Sequence, residues 1–411
     1  MKQRRDRLVQ QRTTDKFSCQ QFAVWSRQRG IFRPALLAGA ITVCCFASPI
    51  FRVAAQLPPS TPETQAPIQP PVPTTSPEIE IIVPQTSPKV ETPVPEPPPG
   101  VVSPVTKPTA IQIQLLPLRV IRGYEFTVDS LAFSPDGTKL VSGGGKNEPF
   151  LKVWSMATGE ELRSLRAQQT AIKAIAISPN GSILATAGQD ADVNIWSLQA
   201  IDNRLRRYLE QDLTVMALAI TPDSKFLISG ALDGIWLWTL NPNRPFYQLL
   251  GYGTPVYAMA LAPNGYILAS GHSDGRVRFW NLRQGVISAE FRPHTEGITG
   301  VAFTPDGKKL ITSSLDRTLK IWDLQTGALL HELKGHTQII RSIALSPNGE
   351  IVASASNDGV RIWSVSTGSL LAKPSQEDPD WVQSLAFSPD GRILAAGRYN
   401  GTIALWEVKS W

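Results

Sequence analysis

The sequence predicts an all-β fold of seven four-stranded sheets set around one axis like the blades of a propeller, and two periodicities carry that prediction. A tryptophan closes a short apolar run at positions 154, 196, 238, 280, 322, 363 and 406, at spacings of 41 to 43 residues. A proline stands in a polar turn at 135, 179, 222, 263, 305, 347 and 389, at spacings of 41 to 44. A fixed period of about 40–45 residues built from short strands marks a propeller blade, because each small sheet buries its faces only against its neighbours.

The stretch from Ile340 to Val365 shows the unit most plainly. It holds three apolar-alternating runs, the first ended by Ser346-Pro347-Asn348-Gly349, the second by Asn357-Asp358-Gly359, the third by Trp363. Runs of this length between Pro, Asn and Gly punctuation read as an antiparallel meander. A fourth run, Leu329 to Lys334, precedes it and is closed by Gly335-His336, which completes a four-stranded sheet.

The segments ahead of the repeats differ in kind. Residues 1–33 are basic, with nine Lys/Arg against two Asp/Glu, a local +7, so residues 34–411 sum to −1 within the chain's net +6. A basic pI therefore gives the repeats no electrostatic case for binding nucleic acid. Residues 34–55 contain an uncharged apolar run, 35–51, followed by Val53-x-Ala55. It reads as a membrane-spanning anchor, as a signal peptide cleaved after Ala55, or as a merely buried apolar stretch; in the first two readings, which are favoured, the basic flank stays cytoplasmic and the repeats are exported. The expected location is thus single-pass membrane or secreted, with an extracytoplasmic repeat domain.

Residues 56–110 form a linker. Seventeen of the chain's 34 prolines fall between Leu57 and Ala110, and no aromatic residue occurs between Phe51 and Tyr124. Without aromatics such a stretch cannot bury enough apolar surface to offset its ordering entropy, so it is expected to be a disordered, extended spacer, the alternative being a proline-rich ligand for a partner domain. All three cysteines, 19, 44 and 45, precede the repeats, which can hold no disulfide.

The repeat domain covers 111–411. The chain stops just after the third strand of the seventh unit, whereas Leu115–Gly123 reads as a fourth strand with no unit of its own. The economical solution places that early strand at the outer edge of the last blade and closes the ring. Pro117 fits there, since an outermost strand tolerates a missing amide.

The repeats and their Trp322-Asp323 dipeptide resemble the WD40-repeat family, and the uniform Ser-Pro-Asp-Gly turns are similar to those of its bacterial members. The resemblance covers roughly residues 113–411. It implies a structural network in each blade, joining a loop histidine, a second-strand Ser/Thr, a turn aspartate and the tryptophan. The sixth unit matches best, through His336, Ser354 or Ser356, Asp358 and Trp363; the fifth keeps His294, Asp316 and Trp322. The fourth has Tyr252 and Asp274, the second and third lack the histidine, and the seventh has Asn400 for the aspartate. The resemblance also puts the alanine found three residues before every turn proline, Ala132 to Ala386, on the strand that lines the central channel.

Catalytic and metal readings find little support. The His-Asp-Ser groupings repeat at blade period, as packing residues do and a single active site does not. The four histidines have no metal-ligand spacing. Asp190 to Asn194 resembles the start of a calcium loop but lacks its glycine and glutamate, and Gly143 to Lys146 lacks the Ser/Thr and helix of a phosphate loop. No catalytic, cofactor-binding or metal residue is expected.

The surface remains. The loops into each first strand and the turns between second and third strands open on one face, which carries Tyr124, Phe126, Tyr252, Trp381, Arg398 and Tyr399. Aromatic and arginine side chains dominate binding hot spots, so Tyr124, Tyr252, Trp381, Arg398 and Tyr399 are the candidate contacts for a protein or peptide. The expected function is a non-enzymatic interaction platform on a monomeric propeller, held to a membrane through residues 35–51. The alternative is an envelope enzyme or small-ligand-binding propeller with its site at the channel mouth.

Overall fold

The computed structural model describes residues 112–410 apart from 146, 200–204, 212, 241–246, 251–253 and 375–380. The basic segment, the apolar run 35–51 and the proline-rich linker lie outside the described residues, as does Tyr252. No helix among the described residues is long and apolar enough to cross a membrane.

Seven four-stranded antiparallel sheets follow one another along the chain. The first blade runs through Val128–Phe133, Lys139–Gly144, Phe150–Ser155 and Glu161–Arg166, and the other blades repeat it. The seventh is composite: Val382–Phe387, Ile393–Arg398 and Thr402–Ser410 are completed by Ile113–Arg122 on the outside. That strand pairs antiparallel with the last one, from Ile113 opposite Ser410 to Arg122 opposite Thr402. The register shifts between Pro117 and Arg119, so the proline sits at a bulge on an outermost strand, where the amide it lacks is not missed. The strand expected from sequence to close the ring does so.

Each tryptophan fills the wedge between its own sheet and the preceding one. Trp363 packs with Ile311, Leu319 and Ile321 of the fifth blade, and Trp196 with Val141, Leu151 and Val153 of the first. Large flat rings suit these wedges because they bury much area with little side-chain entropy to lose.

The innermost strands meet around a central cavity of about 510 Å³ lined by all seven blades. The alanine three residues before each turn proline does not line it. Leu131, Ile175, Leu218, Met259, Val301 and Ile343, one residue earlier in their strands, face the cavity instead. Ala302 packs against Ile311 and Leu319, and Ala219 against Ile228 and Leu268. Crowding between adjacent inner strands falls two residues before the alanine. There Ser130 Oγ donates to the Ile172 carbonyl at 3.2 Å and Ser384 Oγ to the Val128 carbonyl at 3.1 Å, while a Cβ at Gly300 would come 2.6 Å from Ile343. Strand alternation explains the outcome: with period two, residues one apart cannot share a face.

Candidate functional site

The polar network at the loop face extends further than the sequence suggests. In six blades the tryptophan Nε1 donates to a buried Ser or Thr on the second strand: Trp154 to Ser142 at 2.8 Å, Trp196 to Thr186 at 3.0 Å, Trp238 to Ser229 at 2.7 Å. Trp280 to Ser270 at 2.8 Å, Trp322 to Thr312 at 3.2 Å and Trp363 to Ser354 at 2.8 Å complete the set. In the fifth and sixth blades a histidine joins the hydroxyl to the turn carboxylate. His294 Nε2 lies 2.8 Å from Thr312 Oγ1 with Nδ1 2.9 Å from Asp316; His336 Nε2 lies 2.7 Å from Ser354 Oγ with Nδ1 2.6 Å from Asp358.

Other residue types take the histidine's place elsewhere. Tyr124 does so in the first blade, its hydroxyl 2.8 Å from Ser142 Oγ. In the second, Gln168 donates to Thr186 Oγ1 at 3.5 Å; in the third, Gln211 accepts from Ser229 Oγ at 2.8 Å and donates to Asp233 at 3.1 Å. The fourth blade uses His272, two residues along the same strand from Ser270 and 2.9 Å from its Oγ. Its Asp274 lies beside Arg276 and Arg278. The seventh blade has Ala396 at the hydroxyl position, and Arg398 lies 5.9 Å over the Trp406 ring instead.

Electrostatics follow from this burial. Burial alone would raise the Asp358 carboxyl, but hydrogen bonds from the Thr337 amide, His336 and Arg361 hold it well below the usual carboxylate range. Burial pushes His336 down, against the pull of Asp358. A neutral ring with Nδ1–H donating to Asp358 and Nε2 accepting from Ser354 fits these two partners, and Arg361 Nη1 donates to the same Asp358 carboxylate at 2.9 Å. His272, also pushed down by burial and by neighbouring Arg278, falls to about 4. Among the described residues no cluster of three His, Cys, Asp or Glu is placed to hold a metal ion.

Of the five candidate contact residues, the structure brings two together on the surface. Trp381 and Tyr399 are 47% and 54% exposed, their rings 5.3 Å apart and tilted by 60°, and the Tyr399 amide donates to the Trp381 carbonyl at 2.8 Å. Phe126, 45% exposed, lies across the same turn: its carbonyl and that of Tyr124 close on Gly401, whose own carbonyl accepts from the Tyr124 amide at 3.1 Å. Tyr124 is 3% exposed, and burial lifts its phenol far above the ordinary range. It is an interior member of its blade and offers no ring to a partner. Arg398 is half-buried and faces inward to Trp406.

Sequence reasoning missed Glu148, whose carboxylate accepts from the amides of Glu125 and Phe126 at 2.5 and 3.1 Å and holds the loop that presents Phe126. It also missed Gln168 and Gln211. A spacing signal was available: the loop residue precedes the second-strand hydroxyl by 18 positions in five blades, whatever its type. At the channel mouth Lys173 donates to Asp129 at 2.7 Å and Arg341 to Asn357 at 2.9 Å, so these charged groups already have partners.

Comparison with known proteins gives a consistent result. The family model described as WD domain, G-beta repeat, matches residues 115–155, 159–197 and 204–237, and the one described as IFT122 first beta-propeller matches 255–410. Relatives include the periodic tryptophan protein 2 homolog of Dictyostelium discoideum, 26% identical over 182 residues (43% of this chain, 19% of the relative). Apoptotic protease-activating factor 1 of Rattus norvegicus is 29% identical over 165 residues, 40% of this chain and 13% of its own. Small ribosomal subunit protein RACK1y of Oryza sativa subsp. japonica is 26% identical over 170 residues, 39% of this chain and 49% of its own. The chain spans less than half the length of each of these relatives.

Proposed function

The chain belongs to the WD40-repeat family of seven-bladed β-propellers, and from that premise we propose that it is a non-enzymatic interaction platform whose protein partner docks on the loop face over Trp381 and Tyr399. The observation that carries the reading is the exposed aromatic pair at the loop end of the seventh blade, the blade in which alanine replaces the network hydroxyl. Two relatives bear names, a protease-activating factor and a ribosomal subunit protein, that describe work on or within other macromolecules. Surface tryptophan and tyrosine in such a position contribute on the order of 2 kcal/mol each to an interface when a partner buries them.

The charge pattern of the first 55 residues supports an exported propeller tethered by residues 35–51. Capture of binding proteins from the native host by the full chain and by the Trp381→Ala/Tyr399→Ala variant tests the docking face. Partner recovery should fall more than about tenfold, and equal recovery overturns the assignment. Fusing residues 1–60 to a reporter active only outside the cytoplasm tests export; a silent reporter refutes it.

A further inference from the structure

Trp381 and Tyr399 are exposed with their rings 5.3 Å apart, and Phe126, also exposed, has its carbonyl against Gly401 of the same turn. Such a surface suits an extended, apolar occupant that brings few unsatisfied backbone donors, which is the character of a proline-rich strand in the polyproline II conformation. The chain itself carries a stretch of that composition: Pro93-Val94-Pro95-Glu96-Pro97-Pro98-Pro99, five prolines in seven residues.

The tether enters the propeller on the blade that bears the patch. The outer strand of the seventh blade begins at Ile113 opposite Ser410, away from the loop face, and ends at Arg122 opposite Thr402, beside the turn that carries Tyr399. Its ten residues rise about 33 Å at ~3.3 Å each. Gly100 to Gln112, thirteen residues, reach about 40 Å at ~3.1 Å each. The length suffices to carry Pro93–Pro99 back up the blade to the aromatic rings. Attachment at that distance gives the segment an effective concentration on the order of millimolar.

We propose that Pro93–Pro99 of the same chain docks on Trp381, Tyr399 and Phe126 and acts as an internal occupant that an external partner must displace. This rests on the reading of the patch as a docking surface, and it assigns that surface a means of regulation: whatever pulls the linker taut frees the site.

The test uses the full-length chain carrying Tyr399→p-benzoylphenylalanine, irradiated as an equal mixture of 15N-labelled and unlabelled protein. Crosslinks are expected within residues 93–99, with both halves of each crosslinked pair bearing the same isotope. Changing Pro93, Pro95, Pro97, Pro98 and Pro99 to serine should cut their yield at least tenfold. A synthetic peptide of residues 91–100 should bind this serine variant at least tenfold more tightly than the unaltered chain. Absence of crosslinks to 93–99, pairs of mixed isotope, or peptide affinity unchanged by the serines each overturns the proposal. Loss of an external partner from Trp381→Ala/Tyr399→Ala in the face of any of these results would leave the docking surface standing and remove only its internal occupant.

Discussion

Ser354 shows how much a single hydroxyl does in this protein. It accepts from Trp363 Nε1 at 2.8 Å and faces His336 Nε2 at 2.7 Å, all within the interior. Ser354→Ala strands both buried partners, and a buried group left unsatisfied costs about 1–3 kcal/mol. Urea unfolding should show a loss of roughly 2–3 kcal/mol with unchanged m-value. His272 gives a pH signature. Its folded pKa is depressed to about 4, below the ordinary 6.5, so between these values the unfolded chain binds a proton that the folded chain refuses. Stability is therefore complete above pH 6.5 and declines as pH falls toward 4, by roughly 3 kcal/mol. Midpoints measured across that range should flatten in His272→Gln; an unchanged slope refutes the assignment. The network was only half legible because its histidine position accepts any side chain that can reach the hydroxyl, and residue type alone does not report reach. Tyr124 is the clearest case: an aromatic residue in a loop reads as a contact until burial shows where the ring goes.

At the scale of elements, the strand Ile113–Arg122 decides closure. It buries Ile121 and packs Ile113 and Leu115 on the last blade, and it removes the edge that Thr402–Ser410 would otherwise expose. Deleting residues 113–122 should abolish single cooperative unfolding and leave the amides of Thr402–Val408 without exchange protection, measured by hydrogen exchange. Protection equal to that of the intact chain would mean that the ring closes without this strand. The pairing was readable from chain order, since one orphan strand and one incomplete unit leave a single consistent solution. Which face of the inner strand is crowded was not, because sheet curvature and neighbour placement, absent from any local pattern, separate Ala302 from Val301.

For the whole molecule, the repeat gives seven equivalent scaffolds and function rests on where they differ. The seventh blade lacks the buried hydroxyl, places Arg398 over Trp406, and exposes Trp381 and Tyr399 beside the loop that carries Phe126. Because those rings lie at the surface, Trp381→Ala/Tyr399→Ala should shift the unfolding free energy by no more than about 1 kcal/mol while it weakens partner capture. A larger loss of stability would identify the pair as structural.

The sequence by itself determined the number of blades, their strand order, the wedge-filling role of the tryptophans and the borrowed strand that seals the ring. Each of these is written in period and punctuation, which the backbone obeys locally. Tertiary structure alone decided which loop-face side chains remain exposed. Tyr124 and Trp381 are both aromatic residues at blade entrances, but Tyr124 finds a buried serine 18 positions ahead within hydrogen-bond reach, whereas Trp381, one residue before its inner strand, lies across from Tyr399 and stays 47% exposed.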